Sequence, residues 1–404
     1  MTPSPHLAAR RTRQDAGWLF SASFRPFFLG AAIFAALAVP AWAVMFTSGF
    51  GEVGGMPALV WHSHEMVFGF LPALFAGYLL TTTPNWSGHL PASGRPLAAL
   101  FSLWVAGRIL PLVLPFILGS IVDIAFPVTV AACLAREGRA RSAQQTRHGL
   151  MLFPLLAVLS GLHRVASGDP EWAAMTARGG VAVAVLMIAA VGGRLVPSFT
   201  RNLLTGRGEE RVPEPYGRFD VAVLILTLIG LLPWVLSPMS LPACLFAAIC
   251  CFAHAARLLR WRGWLLRQVP VVFLHVGYLW VVVGFGLAAL AAEPLLLVPP
   301  DAALHAFSAG AIGGMAIVVM VQLSLTRGAG HRPASRLCLI AILLIDSGAV
   351  LRVAAPVDGA RYLEWLVAGA ALWSLGFALF ALAHAPITSA IRSSSAPTRA
   401  SGSD

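Results

Sequence analysis

The segment Phe27-Phe28-Leu29-Gly30-Ala31-Ala32-Ile33-Phe34-Ala35-Ala36-Leu37-Ala38-Val39-Pro40-Ala41-Trp42-Ala43-Val44-Met45-Phe46-Thr47 contains no charged side chain over its whole length. About 20 mainly apolar residues suffice to cross a bilayer as a helix. The run is continuous rather than alternating, which argues against a strand of a membrane barrel. Similar runs recur along the chain near residues 60–82, 97–113, 115–135, 149–166, 178–200, 219–237, 241–258, 270–292, 303–325, 334–354 and 362–385, which makes twelve. Pro111 and Pro115 separate the third from the fourth, and Ser237, Pro238, Ser240 and Pro242 separate the seventh from the eighth.

The composition agrees. Of 404 residues, 58% are hydrophobic and 11% charged, and mean hydropathy is +0.79. Soluble domains carry roughly 25% charged residues, and disorder needs low hydrophobicity with high charge. Both classes are excluded. The expected fold is all-α and polytopic, with twelve transmembrane helices. A single membrane domain over 27–385 follows a polar segment over 1–26 and precedes a Ser-, Ala- and Pro-rich tail over 386–404. The first run reads as a span rather than a signal peptide, for no small-residue cleavage site follows it. No internal repeat is evident.

The net charge of +11 comes from arginine alone among the basic residues. Its placement speaks for a membrane and against nucleic acid. Twenty-two of the 28 arginines fall in the N-terminal segment, the loops after even-numbered runs and the tail. Arg178, Arg352 and Arg361 fall on the opposite side, and Arg108, Arg164 and Arg194 within or at the ends of runs. Cytoplasmic loops hold the arginine excess of membrane proteins, so both termini are expected in the cytoplasm. The cysteines Cys133, Cys244, Cys250, Cys251 and Cys338 lie in apolar stretches without CxxC or CxxCH spacing, and read as small core residues.

Ionisable residues inside spans are costly and are candidates for function. Those that stand out are His62, His64, Glu65, Arg108, Asp123, His163, Arg164, Arg194, His254, His275, His305, Asp346 and His384. In Trp61-His62-Ser63-His64-Glu65-Met66, His62 and Glu65 stand three apart and share a helix face. His64 points elsewhere, so one metal could take both histidines only if the helix start unwinds. Gly69, Ala73 and Gly77 continue from Glu65 as a stripe of small residues, open to a neighbouring helix or a flat cofactor. His305, Ala309 and Gly313 repeat the pattern in the tenth run, and the ninth carries His275, Tyr278 and Trp280. Imidazoles ligate haem iron, copper and zinc alike. The plainer alternatives are hydrogen-bonded structural histidines, a Glu65/Asp123 pairing with Arg108, an Arg194 that snorkels to the interface, a surface pair at His163-Arg164, and interfacial His254 and His384.

Several segments resemble the NnrS family of bacterial membrane proteins: Phe24-Arg25-Pro26-Phe27-Phe28, Trp61-His62-Ser63-His64-Glu65-Met66, Thr83-Pro84-Asn85-Trp86, Gly107-Arg108, Gly193-Arg194, His275-Val276-Gly277-Tyr278 and His305 with Gly313-Gly314-Met315. They are collinear over nearly the whole chain. The resemblance implies an inner-membrane protein with haem and copper, associated with nitric oxide, denitrification and nitrosative stress. It also implies His62, His64, His275 and His305 as metal ligands. Glu65, one turn from His62 and placed to relay protons or to orient a ligating histidine, joins Arg108 and Arg194 as further candidate cofactor-binding residues. The chain departs from the family pattern at Gln322, where an arginine is expected, and in the loop Thr326-Arg327-Gly328-Ala329-Gly330-His331-Arg332. Nitric oxide is small, uncharged and soluble in lipid, so it reaches a buried metal without a polar channel. A secondary transporter for a small solute is the alternative, because twelve spans with internal termini is a common transporter layout. The sequence names no catalytic group and leaves enzymatic turnover and oligomeric state open.

Overall fold

The computed structural model describes residues 17–87, 93–140, 144–327 and 335–385. Most of the polar segment 1–26, the tail 386–404 and His331 lie outside them. Among the described residues, twelve helices are long and apolar enough to cross a membrane: α1 (Phe24–Ser48), α2 (Ala58–Thr82), α3 (Arg95–Leu112), α4 (Phe116–Arg136), α5 (Met151–Gly168), α6 (Pro170–Thr205), α7 (Arg218–Leu236), α8 (Leu241–Leu265), α9 (Val269–Ala291), α10 (Pro300–Leu325), α11 (Arg336–Val357) and α12 (Gly359–His384). Each matches one apolar run of the sequence.

The breaks have local causes. Pro111 sits in a 3-10 turn, Leu110–Leu112, that ends α3, and Ser240 caps α8 by accepting from Ala243 N at 3.4 Å. A two-residue hairpin, Glu52–Val53 against Met56–Pro57, joins α1 to α2. Its turn residues Gly54 and Gly55 have φ of 57° and 75°, as the tightest hairpin turns require.

The sixth span is longer than its apolar run. Asp169 accepts from the backbone N–H groups of Glu171 and Trp172 at 2.9 and 3.2 Å, and Pro170 occupies the first turn. This cap-plus-proline start begins the helix ahead of the apolar periodicity. Arg178 therefore lies inside α6, where its Nε donates to Val235 O at 3.1 Å, and not in a loop.

Side chains divide as lipid solvation demands. Leu37, Val113, Ile117, Met151 and Phe252 point outward and stay exposed, while Phe27, Phe153, Phe285, Phe307 and Phe377 fill the interior. A band of exposed large apolar residues on a soluble protein would mark an interface. Here it covers outward faces of many spans and fits acyl chains.

Spans α2, α6 and α10 each contain a π-helical segment: Glu65–Phe70, Ile188–Gly192 and Ala306–Ile312. Such segments are rare in helices and concentrate at functional sites, because the wider turn re-aims the side chains that follow. Two of them start just after a histidine-bearing turn, at His62-Ser63-His64 and at His305.

Candidate functional site

The helices α1, α2, α10, α11 and α12 line a common cleft. Its walls carry His62 from α2, His305 from α10, Arg352 from α11, Trp42 from α1 and Trp373 from α12, with Met66, Phe70, Leu71 and Ile312 completing an apolar floor. The Trp42 ring stacks on the His62 imidazole, centroids 4.1 Å apart and planes 20° from parallel. His62 Nδ1 is buried without a hydrogen-bond partner. His305 Nδ1 lies 2.8 Å from Asp301 O, so that nitrogen donates to the carbonyl and Nε2 keeps its lone pair. A backbone carbonyl on one ring nitrogen is the usual way a protein fixes the tautomer and orientation of a ligating histidine. Trp42 Nε1 and Arg352 Nη1 are also buried and unpartnered. Buried polar groups are normally satisfied, and three such atoms on the walls of one cleft point to a ligand with complementary groups.

His64 and Glu65 turn away from this cleft. The Glu65 carboxylate accepts from Arg108 Nη1 at 2.6 Å, and the other nitrogen, Nη2, pairs with Asp123. His64 places Nδ1 3.3 Å from Glu65 Oε1 and Nε2 3.1 Å from Asp123 Oδ2. Ser160 donates to the same Asp123 oxygen at 2.7 Å. One guanidinium thus links α2, α3 and α4, and Ser160 adds α5. A Cβ on Gly69 would collide with the Arg108 guanidinium, and one on Gly77 would fall 2.8 Å from the Phe28 ring. The small-residue stripe of α2 therefore seats protein side chains, not a flat cofactor. In α10 the same stripe divides. Gly313 seats Trp373, and Ala309 faces the cleft.

The remaining two predicted residues belong elsewhere. His275 is anchored by Nδ1 to Val271 O at 3.0 Å, with Nε2 3.3 Å from Thr200 Oγ1, and Gly263 packs against its ring. The Arg194 guanidinium lies over the Tyr216 ring at 4.4 Å. Neither lines the cleft. The structure thus joins His62 to His305, joins His64 to Glu65 and Arg108, and places His275 and Arg194 apart from both sets.

The structure also gives buried roles to residues that the sequence read as loop, surface or interfacial. Arg257, assigned to a loop by its position, is fully buried in α8. It donates to Asp220 at 2.8 Å, Ala189 O at 2.7 Å and Tyr278 OH at 3.0 Å. His254 is not interfacial: it is buried between Tyr278 OH at 2.7 Å and Thr227 Oγ1 at 2.9 Å. His163 and Arg164 are buried too, His163 against Thr176 at 2.9 Å and Arg164 against Ser120 at 2.7 Å. Arg352 carried a usable signal, since it falls inside an apolar run. Trp42 carried none.

Leu71 and Ile312 form a wall shared with a second cavity. It is lined by α2, α6 and α10 with Phe28 of α1, and its side chains, among them Phe75, Met187, Met315 and Met320, are apolar except for Tyr78.

Among the described residues, no group of three or more His, Cys, Asp or Glu side chains converges as a metal site. A copper ion held by three protein side chains does not fit what they present. Haem asks for less from the protein, one or two imidazoles among apolar side chains, and His62 and His305 on the apolar lining of the cleft match that donor set. No curated protein matches the chain. The family model for NnrS protein matches residues 18–392. With nearly its whole length covered, the chain belongs to the NnrS family of nitric-oxide-related membrane proteins.

Proposed function

We propose that this protein is a haem-binding protein of the bacterial inner membrane, with both termini cytoplasmic, that serves the response to or protection from nitric oxide during nitrosative stress and denitrification. The observation that carries this reading is the cleft in which His62 and His305 face a common space, His62 with an unpartnered Nδ1 and His305 with Nδ1 committed to Asp301 O. His62 and His305 are the residues that would hold the haem. Haem supplies there a redox-active iron with affinity for diatomic gases. The residues of this chain do the rest. Trp42 holds the His62 ring by stacking, the Asp301 carbonyl orients His305, and the surrounding apolar side chains exclude water. The Glu65–Arg108–Asp123 network fixes α2 behind the histidine-bearing turn. The second cavity beside Leu71 and Ile312 admits an uncharged gas dissolved in the bilayer.

Purification of the protein and of its His62→Ala and His305→Ala variants, scored for haem content and visible spectrum with and without nitric oxide, tests the reading. Wild type should carry haem whose bands shift with nitric oxide, and each variant should lose most of its haem. His275→Ala, whose ring is held by Val271 and Thr200, should keep it. A wild-type protein without a haem band, or full haem content in both His62→Ala and His305→Ala, would overturn the assignment. A reporter fused to the C-terminus tests the orientation, and activity of a periplasm-dependent reporter there would overturn it.

A further inference from the structure

Among the described residues, Arg352 is the arginine on the wall of the His62–His305 cleft. It sits in the final turns of α11, where a snorkelling arginine would extend its guanidinium out to water. It does not do so completely: Nη1 is buried and unpartnered. The guanidinium has the Tyr362 hydroxyl and the Asp301 carboxylate nearby. Asp301 is exposed at the start of α10, so one partly hydrated anion balances a cation that turns a free donor inward. An arginine has five N–H donors in a planar fork suited to carboxylates. On the same walls Trp42 Nε1 is a second unpartnered donor. The floor of the cleft is apolar. The polarity is therefore graded along the cleft, with donors near the Arg352 rim and hydrocarbon below.

We propose that Arg352 is the carboxylate anchor of this cleft, binding an acidic substituent of a flat, otherwise apolar macrocycle, with Trp42 Nε1 as an auxiliary donor. The proposal rests on the haem reading and adds to it the orientation of the ligand, acid edge toward Arg352 and apolar edge toward Leu71 and Ile312. Arg352 is a positioning residue: it leaves the iron to the two histidines and sets which way round the ring enters.

The test compares two probes, ferric protoporphyrin IX and its dimethyl ester, titrated into full-length protein purified in detergent from a haem-deficient host. A hydrogen-bonded ion pair at this depth should make wild type bind the free diacid about ten- to a hundredfold more tightly than the diester. Arg352→Gln should reduce that ratio to about twofold, through weaker binding of the diacid alone. It should retain the visible spectrum of a two-histidine site. Arg352→Lys should retain part of the preference, and Trp42→Phe, which keeps the stacked ring and removes the N–H, should lower it by less than Arg352→Gln. Equal affinity of wild type for diacid and diester would overturn the anchor while leaving the haem site standing. So would an undiminished preference in Arg352→Gln. Failure of wild type to bind either probe would overturn both readings.

Discussion

Arg108→Met removes the cation that holds three spans together. The guanidinium lies 2.6 Å from Glu65 and is paired with Asp123, and all three side chains are no more than 6% exposed. At an effective dielectric of about 20, one such contact is worth roughly 6 kcal/mol of Coulomb energy. Much of that is offset by the cost of desolvating the ions. The relevant quantity is the penalty for leaving the partners behind, about 3–5 kcal/mol for a broken buried pair. Here two carboxylates are left facing each other, which puts the expected loss near 5 kcal/mol. The assay is equilibrium unfolding of the protein from mild detergent into SDS, followed by tryptophan fluorescence. The neutral triple variant Glu65→Leu, Arg108→Met, Asp123→Leu isolates the cause. It has no orphaned charge, but it deprives His64 and Ser160 of acceptors, at about 1–3 kcal/mol for each unsatisfied group. Together these cost about 2–6 kcal/mol, so the triple variant should match the single variant to within about 1 kcal/mol or be more stable. A loss below about 1 kcal/mol for Arg108→Met, or a triple variant clearly worse than the single, would refute the argument that the arginine is held in place to neutralise the two acids.

The Arg257 cluster gives a parallel case: Asp220→Asn should cost about 3–5 kcal/mol in the same assay by stranding a fully buried guanidinium, and adding Arg257→Met should restore part of it. Gly193→Ala places a Cβ against that guanidinium, where overpacking should cost about 1–3 kcal/mol. The alanine at 193 should become tolerated once Arg257→Met has cleared the space, and an unchanged penalty in that background would contradict the contact.

The number and order of the spans were written in the sequence because lipid imposes a one-dimensional rule. Every backbone polar group must be satisfied within its own segment, so each span must be a helix of bilayer length and each break must carry a turn signal, as Pro111 and Ser240 do. The start of α6 escaped that rule. Its first turns, with Glu171 and Arg178, are too polar for an apolar-run criterion, and the Asp169-Pro170 cap marked them instead. The histidine at 62 and the histidine at 305 were singled out as unusual residues, but nothing in their spacing pairs them, for 243 positions of chain separate them.

What the sequence determined alone was the solvent, the twelve helices and a short set of side chains too polar for their depth. Only the tertiary structure decided which of those side chains meet. Burial of an ion demands a partner, and partners are supplied by packing: Arg108 by α2 and α4, Arg257 by Asp220 of α7. Glu65 meets Arg108 of α3, while Met66 and Phe70, within the π-helical turn that starts there, join His62 at the cleft. A helical-wheel reading places His62 and Glu65 on one face, and only the packing of neighbouring helices, which local sequence does not announce, gives the two different partners.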